Sequence, residues 1–285
     1  MAEFITALKS ELFLLRHNPG MQLTLALPSL IVATQLSIIK LSQTGQAVRD
    51  SLLGATELDP TSAGAAYGYF VDGLSTGLTL VVLILVTLSA YSFAHDRDCG
   101  AIRHPLICRI SRGNMLLGKL LTLVIAGASA IAVLFVVTWL MSSLLWDFGP
   151  VVEDGFELIS ENEIRSEIIL GLQLALLPLP TLLAFGMLIS VIAHSTTQAV
   201  TMALGITLAM DIFKATLGEA SQYIFFSYLP SLLDQSYLRD VGQIVRGYSD
   251  VLIDAQAVQL NQFLPIPELL LLTVIALFLV QKKKL

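Results

Sequence analysis

The chain has 285 residues, of which 55% are hydrophobic and only 13% are charged. A soluble domain carries about 25% charged residues, and the apolar residues here come in blocks long enough to cross a bilayer as helices. This composition excludes an ordinary soluble enzyme and disfavours a β-barrel, whose strands alternate over about ten residues. The formal net charge of −6 becomes informative only when it is divided between the two sides of a membrane.

The first 18 residues predict an amphipathic helix. Its apolar residues recur at spacings of three and four and so share one face: Phe4, Ile5, Leu8, Leu12 and Leu15. The segment is too short and too polar to cross a bilayer, so we expect it to lie in the membrane interface with its apolar stripe towards lipid. The Asn18-Pro19-Gly20 sequence ends this helix and turns the chain.

Six apolar spans follow, and they predict an all-α membrane protein with one transmembrane domain covering residues 1–285. The predicted spans are residues 21–41, 69–93, 115–146, 168–193, 198–217 and 263–280. A segment at 219–262 is only half apolar, and we expect one or two helices there that dip into or cap the outer leaflet. An acidic run at 153–167 is typical of a solvated outer loop, with cation attraction as the alternative.

The distribution of charge predicts the orientation of these spans. Six spans place both termini on one side, together with the loop at 96–114. That side carries ten basic and four acidic residues, whereas the other carries six basic and eighteen acidic residues. Because basic loops stay in the cytosol, both termini and the loop at 96–114 are expected to be cytosolic.

The basic loop contains a sequence that is one residue short of a nucleotide-binding P-loop. That motif needs a Ser or Thr after Lys119 to hold magnesium and a strand before its glycines, but Leu120 follows and a membrane span begins there. We therefore predict no nucleotide site and no other cofactor in this chain. If ATP drives this protein, a separate chain binds it.

A few residues inside the predicted spans are charged or are prolines that would bend the helix. Pro178 and Pro180 predict a kink in the fourth span, which either lines a pathway or is a packing irregularity. Asp211 and Lys214 lie three residues apart in the fifth span, so their side chains are neighbours. They form either a self-neutralising pair near the outer surface or a site for substrate or protons. Asp72, near the outer end of the second span, is open to the same two interpretations.

The loop at 96–114 resembles the signature of ABC-2 type transporter permeases, in which an acid, a Gly and a short helix precede Ser-Arg and Leu-Gly-Lys. The matching residues, in one register without gaps, are Asp98, Gly100, Ile102, Leu106, Ser111, Arg112, Leu117, Gly118 and Lys119. The sequence departs from the pattern at Ala101, Pro105 and Arg109, where Thr, Leu and Pro are usual. Residues 1–18 are similar to the elbow helix of this family, and 195–199 to its polar turn between the fourth and fifth spans.

The resemblance implies the permease subunit of an ATP-driven exporter in the bacterial inner membrane. It implies a dimer with a second copy or a homologue, and two separate ABC ATPase subunits that carry ATP and magnesium. The loop would contain a cytosolic coupling helix that docks onto the ATPase, and the outer segment would hold re-entrant helices. The coupling residues it suggests are Asp98, Gly100, Ile102, Arg103, Leu106, Arg109, Ser111 and Arg112. No nucleic acid partner is implied.

Two other classes of protein fit the sequence. An ion-driven carrier or channel would need no ATPase, but such proteins place charged residues near the midplane, whereas Asp211 and Lys214 lie near the outer face. A membrane-anchored assembly factor would move no cargo. The apolar spans would suit a lipid, a drug, a peptide or a polymer equally well as cargo.

Overall fold

The computed structural model describes residues 2–53, 65–100, 111–153, 156–232, 237–246 and 255–282. Within these ranges the long helices are α1 (Ala2–His17), α2 (Pro19–Leu53), α3 (Ala65–Asp98), α4 (Arg112–Leu145), α5 (Glu161–Leu176), α6 (Leu179–Ile192) and α7 (Thr196–Leu217). Shorter 3-10 helices follow at Gly218–Tyr223 and Phe225–Tyr228, and then α8 (Tyr237–Ile244), α9 (Ala255–Phe263) and α10 (Pro265–Lys282).

The described chain contains six helical stretches long and apolar enough to cross a membrane, as the sequence predicts. They are Pro19–Arg49, Ala66–Asp98, Arg112–Leu145, Glu161–Ile192, Thr196–Lys214 and Gln256–Lys282. The second, third and fourth α-helices are longer than the predicted spans. For example, α2 has 35 residues, which corresponds to about 52 Å at 1.5 Å per residue and exceeds a hydrocarbon core of roughly 30 Å.

A β-hairpin follows α4, which the all-α prediction did not include. Strands β1 (Val151–Glu153) and β2 (Phe156–Ile159) pair antiparallel, with a register shift between Val151 and Val152. The two strands are too short to show a recognisable alternation of apolar and polar residues within the acidic run. It joins α4 to α5 at the end of the bundle opposite to the N-terminus.

Helix α3 lies at the centre of the bundle and packs against α2, α4, α6 and α7. Its residues Leu74, Leu78 and Leu85 are fully buried. The least covered span is α10, whose exposed Leu270 and Val274 are consistent with a surface bathed in lipid. The core is therefore built around α3, while large apolar side chains remain on the periphery.

The fourth span is broken at the prolines that the sequence identifies. Helix α5 ends at Leu176 and α6 begins at Leu179, with Pro178 still in a right-handed helical conformation. Proline has no N–H to donate, so the break interrupts the hydrogen-bond ladder without turning the chain back. The helix is interrupted where the sequence predicts a kink, and whether this break lines a pathway stays a prediction.

Aromatic residues mark two levels of the bundle. Tyr69 stacks on Trp146 with centroids 4.4 Å apart, and Tyr91 stacks on His95 at the same distance. Tyr69 and Tyr91 are separated by about 33 Å along α3 at 1.5 Å per residue, close to the thickness of a hydrocarbon core. Tyrosine and tryptophan concentrate at membrane interfaces. We call the end beyond Tyr91, with α1 and the start of α4, the basic end, and the end beyond Tyr69 the acidic end.

Candidate functional site at the basic end of the bundle

The described part of the predicted coupling loop consists of its two ends. Asp98 is the last residue of α3, and Gly100 follows with a φ of 70°, a left-handed conformation that glycine adopts without strain. Ser111 caps α4 by accepting a hydrogen bond from Asn114 N at 3.3 Å, and Arg112 is the first residue of that helix. Four predicted coupling residues lie outside the described residues: Ile102, Arg103, Leu106 and Arg109. The short helix that the resemblance implies also falls there.

Asp98 joins the end of α3 to the beginning of α7. Its Oδ2 accepts hydrogen bonds from the backbone N and the Oγ1 of Thr196, both at 2.6 Å. Ser195 caps the same helix by accepting from Gln198 N at 3.2 Å. A carboxylate is favourable at this position because the N–H groups of the first turn have no partner within the helix and carry a partial positive charge. The sequence predicts both segments but not their contact.

A buried lysine joins three elements at the same end. Lys119 Nζ lies 2.9 Å from Glu11 Oε1 on α1 and 2.7 Å from Asp96 Oδ2 on α3, and the lysine is only 4% exposed. A charge taken this far out of water needs opposite charges and hydrogen bonds around it. Two carboxylates supply them and leave a net charge of −1 at the cluster. We call Glu11, Asp96 and Lys119 the charge cluster.

Helix α1 packs along the first turns of α4 through the face that carries Ala7 and Glu11. Ala7 is buried, and a Cβ added to Gly118 would lie 3.3 Å from the Ala7 Cβ. Asn114 Nδ2 donates to Glu3 Oε2 at 3.2 Å. Of the predicted apolar stripe, Leu15 packs against the core whereas Ile5 is exposed, and the contact of the stripe with lipid stays a prediction. Phe13 and Leu14 are exposed as well.

These contacts link both sides of the loop at 96–114 to other helices. Asp96 and Asp98 lie at the end of α3 that enters the loop, and Lys119 lies in α4, shortly after the loop. Lys119 contacts Glu11 on α1, and Asp98 contacts Thr196 on α7. Among the residues that the structure describes, no three His, Cys, Asp or Glu side chains converge to hold a metal ion.

Asp211 and Lys214 form a buried pair rather than one that reaches the surface. Lys214 Nζ lies 2.9 Å from Asp211 Oδ1, and the two residues are 4% and 7% exposed, respectively. The segment that follows the 3-10 helices covers the pair and forms hydrogen bonds with it. Lys214 donates to Ser231 Oγ at 2.7 Å, and Asp211 Oδ2 accepts from Leu232 N at 3.1 Å. The sequence predicts the pair but not the segment that covers it.

The four residues proposed for a pathway fall in two separate places. Asp211 borders a small cavity of about 20 Å³ with Thr79 and Thr207. Pro180 borders a larger apolar groove on α4, α5 and α6, and the two spaces share no lining residue. A pathway through these four residues stays a prediction.

Ionisable residues at the acidic end are also paired. Tyr67 donates to Glu161 Oε1 at 2.7 Å and accepts from Arg165 Nε at 3.1 Å, and Asp72 contacts Arg246. Within the acidic run, Ser160 and Glu163 form a capping box that begins α5.

Tyr237 ties α8 to this end by donating to Glu167. Burial, reinforced by that hydrogen bond, raises the pKa of Tyr237 well above its usual range, so its hydroxyl stays protonated and can donate. The part of the acidic run in α5 is therefore partly structural rather than wholly solvated.

These features define an integral membrane protein with six helical spans and a connected set of polar contacts at one end. The chain belongs to the DUF2705 family, described as a protein of unknown function, whose profile matches residues 53–280. No curated protein matches the sequence.

Proposed function

We propose that this chain is the permease subunit of an ABC-2 type transporter that works as an exporter. The supporting observation is that both ends of the basic loop are tied to other helices. Asp98 binds the first turn of α7 through Thr196, and Lys119 binds α1 through Glu11. Asp98 and Lys119, two residues of the sequence that resembles the permease signature, would carry a push on the loop to these helices.

ATP hydrolysis would occur on two separate ABC ATPase subunits, which hold ATP and magnesium, and this chain would not itself be an enzyme. Closure of the ATPase pair would displace the loop and tilt α3 and α4 as rigid bodies. Helices α1 and α7 would follow because their contacts with the loop ends are charged and, at Lys119, buried. The permease would be completed by a second copy or a homologue.

The orientation that this function requires places the basic end in the cytosol of a bacterial cell. Lys9, Arg16, Arg112 and Lys282 all lie at this end of the described chain. The acidic end would then face outwards, which agrees with the excess of basic residues expected on the cytosolic side. The apolar surfaces suit several kinds of cargo, so the proposal names none.

The test is co-purification with an ATPase encoded beside the gene. We expect the wild-type chain to retain the ATPase and to alter its rate of ATP hydrolysis. Reversing the loop charges with Arg103→Glu, Arg109→Glu and Arg112→Glu should release the ATPase. Arg49→Glu, at the opposite end of α2, is the matched control and should leave the complex intact.

Two results would contradict the proposal. One is a loop-reversal variant that assembles and couples hydrolysis as well as the wild type does. The other is cargo transport by the purified chain with no ATPase present, which would favour an ion-driven carrier or channel.

A further inference from the structure

An apolar groove opens on the side of the bundle between α4 and the broken fourth span. Its volume is about 430 Å³, and every residue that lines it is apolar. The wall on α4 is a continuous helical stripe in which the small residues Gly127, Ala128 and Ala132 alternate with larger ones. The opposite wall includes Leu176 and Pro180, on either side of the break.

The types of residue on the two walls explain why the groove forms. Small side chains on α4 leave space beside the helix, and the close approach of Leu85 to Gly127 forms the floor. The break at Pro178 separates α5 from α6 along the wall opposite α4. The small side chains on one wall and the interrupted helix on the other leave the space unfilled.

The length and the lining of the groove indicate what can occupy it. The stripe from Val124 to Val136 is about 18 Å long at 1.5 Å per residue. A single extended hydrocarbon chain can lie along a stripe of this length. The lining offers no polar side chain to hold water.

The position of the groove indicates the source of that chain. Ala128, Ala132 and Val136 are exposed at its mouth, in the middle part of a membrane-spanning helix. The material that surrounds an apolar side surface at this depth is lipid. An empty groove would forfeit the dispersion contacts of its lining, and an acyl chain restores them.

We propose that this groove is a binding site for one acyl chain of a bilayer lipid. The bound chain takes the place of the missing side chains between α4 and the fourth span and stabilises the break at Pro178. The proposal rests on insertion of the bundle into a bilayer and not on coupling to an ATPase, so the two proposals can fail separately.

The test is photolabelling in proteoliposomes with a phosphatidylcholine that carries a diazirine in its acyl chain. Labelled peptides should concentrate on the two walls, residues 124–136 and 172–183. Val136→Trp fills the mouth and should lower this labelling severalfold. The matched control is Val133→Trp, because Val133 is on the same helix and similarly exposed, at 46% against 52%, but does not line the groove.

A second measurement keeps the proposal testable if tryptophan disturbs folding. Ala132→Leu adds a smaller side chain at an exposed position and should also lower the labelling. In detergent, added phosphatidylcholine should raise the Tm of the wild type and of Val133→Trp more than that of Ala132→Leu.

Three results would overturn the proposal. The first is equal labelling of the groove and of the exposed faces of α2 and α10. The second is a groove protected from the lipid, as a second protein copy covering it would produce. The third is labelling that Val136→Trp and Ala132→Leu leave unchanged.

Discussion

Lys119 on α4 lies 2.9 Å from Glu11 on α1, with the lysine almost fully removed from solvent. Asp96 completes the charge cluster from the end of α3. The N-terminal helix, which has too little apolar length to enter the bilayer, is therefore held to the bundle by a buried charge as well as by packing. The stability of this end should depend on keeping all three charges together.

Lys119→Met should lower the free energy of unfolding by about 3–5 kcal/mol, because it leaves two carboxylates without the cation between them. A shift of the thermal unfolding midpoint measures the loss. Lys9→Met is the matched control, since Lys9 is on the exposed side of α1, and should have little effect. The triple change Glu11→Gln, Asp96→Asn and Lys119→Met should recover much of the stability. A midpoint unchanged in Lys119→Met would contradict the role of the cluster.

The membrane-spanning part of the fold could be predicted from the sequence because hydropathy is a local property. The number of spans and the break at Pro178 follow from neighbouring residues alone. Helix α2 continues beyond the predicted end of the first span at residue 41, through polar residues to Leu53. Hydropathy reports where the bilayer ends, not where the helix does, so the predicted span boundary stays a prediction.

The contacts at the basic end could not be predicted in the same way. Glu11, Asp98 and Thr196 are distant in the chain from the partners they bind, and no local pattern specifies such pairs. The contact of α1 with α4 is likewise between distant parts of the chain, and the apolar spacing of α1 does not specify it. The sequence did identify Asp98 and Lys119 through their place in the loop motif.

Thr196→Val should loosen the first turn of α7. The substitution removes the hydroxyl that donates to Asp98 but keeps the backbone N–H that donates to the same oxygen. Hydrogen exchange at residues 194–201 should become faster, and faster still in Asp98→Ala, which removes the acceptor of both bonds. Thr201→Val is the matched control, since the Thr201 hydroxyl bonds only within its own helix. Unchanged exchange in Asp98→Ala would show that this contact does not hold the two helices together.

The Asp211–Lys214 pair can be tested for a role beyond structure. Lys214→Met should cost about 3–5 kcal/mol because it leaves a carboxylate at 7% exposure without its cation. The double change Asp211→Leu and Lys214→Met should cost less than either single change. If the double variant is stable and retains transport, the pair is self-neutralising. A stable double variant that has lost transport would instead support a substrate or proton role.

Thiol labelling should establish which end of the bundle is cytosolic. Cys99 is exposed just after α3 at the basic end, and Cys108→Ser leaves it as the only thiol. In intact cells a membrane-impermeant maleimide should not react with Cys99 until the cells are permeabilised. A cysteine placed at Thr44, exposed near the acidic end of α2, should react at once when Cys99 is also replaced. Reaction of Cys99 in intact cells would reverse the orientation and remove the basis for docking an ATPase on the loop.

Gly186→Ala should disturb the contact between α6 and α3 at the centre of the bundle. A Cβ at this position would lie 1.8 Å from Ser89 Oγ and 3.1 Å from the backbone oxygen of Val86, so the Ser89 hydroxyl must rotate away and the two helices must shift by a few tenths of an ångström. Overpacking of this kind costs about 1–3 kcal/mol, and the thermal unfolding midpoint should fall accordingly. Small residues at such sites allow membrane helices to approach closely.

Two further variants separate this steric effect from the general preference of helices for alanine. Gly205→Ala, on the exposed face of α7 with no atom within 4 Å of the new Cβ, should be neutral or gain up to about 1 kcal/mol. Ser89→Ala in the Gly186→Ala background should recover part of the loss, since it removes the closest atom but leaves the Ser89 Cβ at 3.0 Å. If Gly186→Ala were as stable as Gly205→Ala, α3 and α6 would have to lie farther apart than this packing requires.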